Sequence, residues 1–426
     1  MDELITRVLT KENLKTAYET VVRNKGVGGV DNMKLSDLKL YLQENWGNLK
    51  SKLAIGEYQP KAILGIEIPK SSGGKRLLGV PTVFDRMIQQ AIHQVLQPIF
   101  EPDFSNYSYG FRPRRSAGQA ILQAQQFINE GYQDIIDIDL KSFFDIVNHD
   151  YLMTLLYRKV KDPILLKLIL KFLRAPIEIS GKLQKRRQGV PQGSPLSPLL
   201  SNIILNELDK ELELRGLRFV RYADDFSIFV KSKLAAVRVK ESVRRFIERK
   251  LHLKINEEKS SIVRPQKYEY LGYGFVSSYA RGSKGKFQLV VSKKSFEELK
   301  RKVKYITRKT IPASFDERIQ KLSWLMYGWI NYFKHANIHN KLKDLDSWVR
   351  SRLRYCVWHH WKKPNKRMRS FIRLGINKGI AYAWSRSRMG GWAIAQSPIM
   401  RMTITLKRLE QRGYMSFLNY YHKARS

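Results

Sequence analysis

Short runs in which apolar and polar residues alternate are separated by longer stretches in which apolar residues recur at helical spacing. Leu64, Ile66 and Ile68 alternate, Ser71-Ser72-Gly73-Gly74 turns, and Lys75–Val80 returns. This predicts a hairpin with Lys70, Lys75 and Arg76 near its tip. Phe219-Val220 and Phe226–Val230 bracket Tyr222-Ala223-Asp224-Asp225, a second hairpin with its tight turn at Ala223-Asp224. That turn holds neither Gly nor Asn, so backbone strain is expected there. In Ile136-Asp137-Ile138-Asp139-Leu140, strand alternation buries the apolar side chains and points Asp137 and Asp139 the other way. Leu253–Asn256 reads as a short strand. The glycines of Tyr268–Phe275 suit a close backbone approach.

Helical spacing marks Glu12–Val22, Arg86–Leu96 and Val237–Leu251. Leu200, Ile204, Leu208 and Leu212 predict a core helix, with Ser197 as N-cap, Pro198 as first helical residue and Gly216 as the stop. Ser295-Phe296-Glu297-Glu298 reads as a capping box opening a helix faced by Phe296, Leu299, Val303 and Ile306. Ile319–Phe333 and Leu345–Trp358 follow, and the three predict a small helical bundle. Residues 280–286, rich in Gly, Ser and basic groups, read as a loop and a boundary. Residues 366–426 carry a weaker helical pattern. The predicted class is α+β, strands and helices first, then helices.

Charge changes this picture. The 426 residues carry a net charge of +40, an excess that implies a polyanion, above all nucleic acid. Residues 1–280 hold 44 Lys+Arg against 31 Asp+Glu; residues 281–426 hold 34 against 7. The split suggests a catalytic front and a binding back. The single cysteine, Cys356, excludes an internal disulfide and a Cys-cluster zinc site. No apolar run reaches membrane-span length, and the start lacks a basic-then-apolar leader. A reducing, cytoplasmic setting is expected, with no membrane partner.

Adjacent carboxylates at a hairpin tip repel one another unless a cation lies between them, and Mg²⁺ favours carboxylate and phosphate oxygens. Taken alone, Asp-Asp in a turn is more often a solvated turn than a catalytic one. Asp139 supplies a third carboxylate, and an acidic strand beside an Asp-Asp hairpin completes a two-metal site. The hairpin cations suit a triphosphate or plain solvent. The Gly-rich Lys25–Asp31 loop, with no Walker-type Lys-Ser/Thr after it, is either a simple turn or a loop on a nucleic-acid backbone. Gln188–Pro198, with two Gly and three Pro before a capped helix, holds backbone close to something through the region of Gln192.

Together these motifs resemble reverse transcriptases of the bacterial group II intron type, over nearly the whole chain. Tyr222-Ala223-Asp224-Asp225 is similar to the family's polymerase hairpin, and Asp139–Asp145 to its first catalytic motif. Pro191-Gln192-Gly193 with Leu196-Ser197-Pro198 resembles its template-and-nucleotide loop. Two further blocks, Pro81–Gln90 and Tyr109–Pro113, stand in the family's order. The resemblance implies a right-hand polymerase fold: N-terminal extension and fingers over 1–80, a fingers/palm catalytic domain over 81–290, a helical thumb or maturase domain over 291–365, and a basic segment over 366–426 that contacts DNA. It implies that Asp139, Asp224 and Asp225 are catalytic and, with Leu140, hold two Mg²⁺ ions, for which Mn²⁺ substitutes. Lys70, Arg76, Phe144, Gln192 and Lys259 would bind the nucleotide, with Phe144 excluding a 2′-hydroxyl. Tyr270, Leu271 and Gly272 would grip the primer. The expected partners are template and intron RNA, a DNA primer or target, and dNTPs. The expected activity is RNA-directed DNA synthesis with maturase assistance to splicing. The form expected lacks the family's C-terminal endonuclease, because no Cys and His cluster follows the basic segment. The alternatives are a retron, diversity-generating or defence reverse transcriptase, or an RNA-binding splicing cofactor without polymerase activity.

Overall fold

The computed structural model describes residues 3–69, 73–279 and 281–426. The chain forms two compact units, Met1–Arg264 and Pro265–Ser426, the first of sheets and helices, the second of one small sheet followed by helices. Among the described residues no helix is long and apolar enough to cross a membrane.

The first unit is built on two four-stranded sheets. One runs in the order Arg218–Tyr222, Asp225–Val230, Asp134–Ile138, Ser261–Val263, antiparallel throughout. The other runs Lys75–Val80, Ile63–Pro69, Ile177–Ile179, Lys182–Gln184; its first pair is the basic hairpin, with Ile68 opposite Arg76. The helix Val83–Phe100 starts three residues before the expected Arg86, because the Thr82 hydroxyl accepts from the Asp85 amide. It buries Phe84, Ile88, Ile92, Val95 and Leu96 in one core, and full burial of each such side chain contributes about 1.5–3 kcal/mol.

The helix Ser197–Leu214 matches the predicted apolar spacing, and Gly216 follows it at φ +65°. Its cap differs. Ser197 lies inside the helix, and its buried hydroxyl donates to the Pro191 carbonyl at 2.7 Å, closing the preceding loop. Leu253–Asn256 does not form a strand; only Ile255 bridges to Leu140.

The second unit opens with a three-stranded sheet of Glu269–Tyr270, Tyr273–Ser277 and Phe287–Val291. Residues 281–286 therefore fall within the connection between two paired strands. Three long helices follow, Lys293–Ile306, Phe315–Phe333 and His339–His360. The first is capped by Ser292, not Ser295: the strand ends at Val291, so the helix starts at once and Ser295 donates its amide to the Ser292 hydroxyl. A true capping box stands at Ser314 and Glu317. Short helices fill 364–425. Asp346, nearly fully buried, ties the end of the chain down by accepting from Tyr414, Ser416, and the Phe417 and Leu418 amides.

Candidate active site

Tyr222 pairs with Asp225, so this hairpin turns on two residues, Ala223 and Asp224. Ala223 sits at φ +58°, a left-handed conformation that costs a non-glycine residue roughly 1–2 kcal/mol. The strain expected from composition is present. Asp134–Ile138 pairs antiparallel with Asp225–Val230, ending at Ile138 opposite Phe226. The ladder stops one residue short of Asp139 and Asp225, and the charge of Asp139 acts on the carboxyls of both Asp224 and Asp225. Residues 86 positions apart in the chain are thus brought to the same end of a sheet.

Asp139 is braced from the far side. Its amide donates to the Ser260 hydroxyl at 3.0 Å, its carbonyl accepts from the Asn256 amide at 2.8 Å, and Asn256 Nδ2 donates to Asp139 Oδ2 at 3.0 Å. Leu140 is buried, so only its backbone carbonyl is suited to a metal. Asp137 stands on the same strand and accepts from the Ser227 hydroxyl at 2.8 Å.

The carboxylates crowd one another. Loss of hydration, then the charges of Asp224, Asp139 and Asp137, push the Asp225 carboxyl up to about 6. Burial, with Asp139 adding to it, pushes Asp137 up to about 6 against the opposing hydrogen bond from Ser227. Burial also raises Asp224, against the pull of Arg76 and Arg221. Clustered carboxylates are a donor type suited to a divalent cation. As placed, no three acidic, His or Cys side chains among the described residues already converge on one point as a metal cage.

Asp224 faces a cavity of about 520 Å³ that is also lined by Arg76, Phe144 and Gln192. The loop carrying Gln192 is fastened to the basic hairpin, where the Gly79 amide donates to the Gln192 carbonyl at 2.7 Å. Phe144 packs edge-on against buried Phe143, ring centroids 5.1 Å apart, and its carbonyl accepts from the Val190 amide at 2.6 Å. Arg86, Gln90 and Phe111 line the same cavity. Sequence reasoning had these three inside motif blocks without assigning them to the site. The Lys25–Asp31 loop packs on the helix behind: Arg86 donates to the Val27 carbonyl, and Gly29 lies against the Thr82 backbone.

Lys259 is exposed, three residues past Asn256, and does not line the cavity. Lys70 lies outside the described residues. Tyr270, Leu271 and Gly272 belong to the second unit. Leu271 and Gly272, at φ +49° and +80°, form the two-residue turn between paired Tyr270 and Tyr273. That turn is clamped: the Tyr332 hydroxyl donates to the Leu271 carbonyl at 3.0 Å and the Ser292 amide to the Gly272 carbonyl at 2.9 Å.

Residues 68–275 match the family model described as reverse transcriptase (RNA-dependent DNA polymerase), and residues 287–374 match the group II intron, maturase-specific domain. Protein YkfC of Escherichia coli (strain K12) is 32% identical over 302 residues, covering 62% of this chain and 79% of that protein. The group II intron-encoded protein LtrA of Lactococcus lactis subsp. cremoris is 31% identical over 346 residues, covering 64% of this chain and 57% of LtrA. A chain of a solved partial Cas6-RT-Cas1--Cas2 complex is 27% identical, with a TM-score of 0.37, covering 58% of this chain and 43% of that one. A reverse transcriptase domain joined to a maturase domain implies dependence on a divalent metal and RNA and other nucleic-acid partners. On these matches, the chain belongs to the group II intron reverse transcriptases.

Proposed function

We propose that Asp139, Asp224 and Asp225 form the polymerase centre of this chain, which extends a DNA primer on an RNA template. The primer 3′-oxygen forms the new bond to the α-phosphate of a dNTP, and pyrophosphate leaves. The three carboxylates, with the Leu140 carbonyl, are suited to holding two Mg²⁺ ions, which supply the charge that activates the attacking hydroxyl and steadies the leaving group. Asn256 and Ser260 keep Asp139 in place. Arg76 meets the triphosphate, Gln192 lines the nucleotide pocket, and Phe144 stands where a 2′-hydroxyl would point. By the family resemblance Lys70 is assigned to the triphosphate and Tyr270–Gly272 to the primer grip. Positioning and electrostatics do most of the work in such a transfer.

The observation that carries this proposal is the convergence of Asp224, Arg76, Phe144 and Gln192 on one cavity, beside Asp225, whose carboxyl feels the charges of both Asp224 and Asp139. Residues 291–365 are the RNA-binding thumb, used toward the host intron RNA to assist splicing, and 366–426 contact target DNA. Their charge favours this: 281–426 carries 34 Lys+Arg against 7 Asp+Glu, suited to phosphate backbones. The setting is cytoplasmic. The test is primer extension on poly(rA)/oligo(dT) with Asp224→Asn. Synthesis is expected to fall at least about 100-fold, the scale of losing one electrostatic stabiliser of a transition state; undiminished synthesis removes the assignment.

A further inference from the structure

Directly behind the strained turn lies an ion pair with no exposure to solvent. Arg221 Nε and Nη2 donate to the two carboxylate oxygens of Asp209 at 2.8 and 2.6 Å, and both side chains are 0% exposed. The third nitrogen, Nη1, donates to the Ala223 carbonyl at 2.9 Å and to Asn202 Oδ1 at 2.9 Å. Asn202 in turn donates through Nδ2 to the Gly110 carbonyl at 2.9 Å. The Arg221 backbone is occupied as well: its amide donates to Tyr107 and its carbonyl accepts from Tyr109, both at 2.9 Å. Gly110 presses on the turn so closely that a Cβ there would lie 2.2 Å from the Ala223 nitrogen.

Stability alone does not account for this arrangement. A buried ion pair is often no more stable than apolar residues of the same volume, since desolvation cancels most of the attraction. What a guanidinium adds is a rigid planar fork that addresses several acceptors in fixed directions. Here the fork joins three pieces: the Ser197–Leu214 helix through Asp209 and Asn202, the 107–110 loop, and the one peptide that must stay left-handed. Ala223 has no intrinsic preference for φ +58°, so something must hold it there. The peptide being held leads directly into Asp224.

We propose that Arg221 is a positioning residue for the polymerase reaction: oriented by Asp209 and sharing Nη1 with Asn202, it locks the Ala223 carbonyl and thereby aims the Asp224 carboxylate. Gly110, held by Asn202, packs against the Tyr222–Ala223 backbone that leads into the same peptide. This rests on the assignment of Asp224 to the metal-holding centre. Arg221 touches neither substrate nor metal; its effect passes through the 223–224 peptide.

The experiment compares wild type, Arg221→Lys, Asn202→Ala and Asp224→Asn in the full chain. Two readouts are used: kcat and KM for primer extension at saturating Mg²⁺, and Mn²⁺ bound to the complex with a 3′-deoxy-terminated primer, RNA template and dTTP, counted by electron paramagnetic resonance. Arg221→Lys retains the charge and loses the fork. It is expected to lower kcat on the order of 100-fold, the loss that a misplacement of about 1 Å produces, and to weaken Mn²⁺ binding about tenfold, while KM for template–primer stays within about twofold. Asn202→Ala is expected to move both readouts the same way by a smaller factor. If Arg221→Lys melts far below wild type, Asn202→Ala decides. A folded variant with wild-type kcat and Mn²⁺ binding overturns the positioning role. If instead Asp224→Asn binds Mn²⁺ as wild type does, the metal assignment itself fails, and the positioning role with it.

Discussion

Gly189→Ala tests how the nucleotide pocket is held from behind. Gly189 sits at φ +85°, and a Cβ built there lies 2.7 Å from the Asp145 carbonyl oxygen and 2.8 Å from that of Phe144. Contacts under 3.0 Å are essentially never seen for a real Cβ, so both carbonyls must retreat by at least a few tenths of an ångström. The backbone cannot yield freely. The Gly189 amide donates to Val147 at 2.7 Å, the Val190 amide donates to Phe144 at 2.6 Å, and a ring nitrogen of buried His149 bonds the Gly189 carbonyl at 2.7 Å. The left-handed φ adds roughly 1–2 kcal/mol for an alanine, and overpacking adds typically about 1–3 kcal/mol. The relief available is a shift of the 144–145 segment, which moves the Phe144 ring. Competitive extension with dTTP and UTP, beside a thermal melt, reads the outcome. Ribonucleotide incorporation should rise about tenfold, with Phe144→Ala setting the upper limit because the steric stop is then absent. Unchanged selectivity in Gly189→Ala, while Phe144→Ala loses it, would show that Phe144 is placed by something other than this contact. Unchanged selectivity in both would refute the gate.

Two further outcomes follow from buried carboxylates. Asp346→Asn should destabilise the second unit by about 2–4 kcal/mol, because an amide cannot accept all four hydrogen bonds that the carboxylate takes; limited proteolysis should then release the C-terminal segment first, and a wild-type cleavage pattern would contradict this. Asp137 and Asp225 titrate near 6 when folded, above the ordinary carboxylate value of 3.8, so the folded state holds extra protons between about pH 4 and 6 and these groups subtract stability as pH rises through that window. Added Mg²⁺ or Mn²⁺ should therefore raise the melting temperature more at pH 7.5 than at pH 5, and equal shifts at both pH values would count against a cation between these acids.

Much of the Arg218–Val230 hairpin was legible because its signals are local. Alternation of Phe219-Val220 with Phe226–Val230 needs only neighbours in sequence, and so does the strain implied by Ala223-Asp224, which contains neither Gly nor Asn. The helices Val83–Phe100, Ser197–Leu214 and Phe315–Phe333 were readable for the same reason, since one apolar face repeats every turn. Helix starts were less so. Ser197 and Ser295 have the residue type of a cap, yet a hydroxyl bonds whatever acceptor or donor the surrounding loop brings near, and here that was Pro191 for the one and a start at Ser292 for the other.

What only the tertiary structure decided is long-range pairing. No feature near Asp139 announces that its strand pairs with the one that starts at Asp225, or that Asn256 and Ser260 brace it. Likewise, nothing around Arg221 announces Asp209, twelve residues earlier on a helix, or Gly110 beyond it. Sequence patterns report which face of an element is apolar; they do not report which other element covers it. Apolar burial is non-directional and tolerates many partners, whereas hydrogen bonds and close backbone contacts select one. The chemistry of this site was written in its residue types, and its geometry was set by the directional contacts that folding brought together.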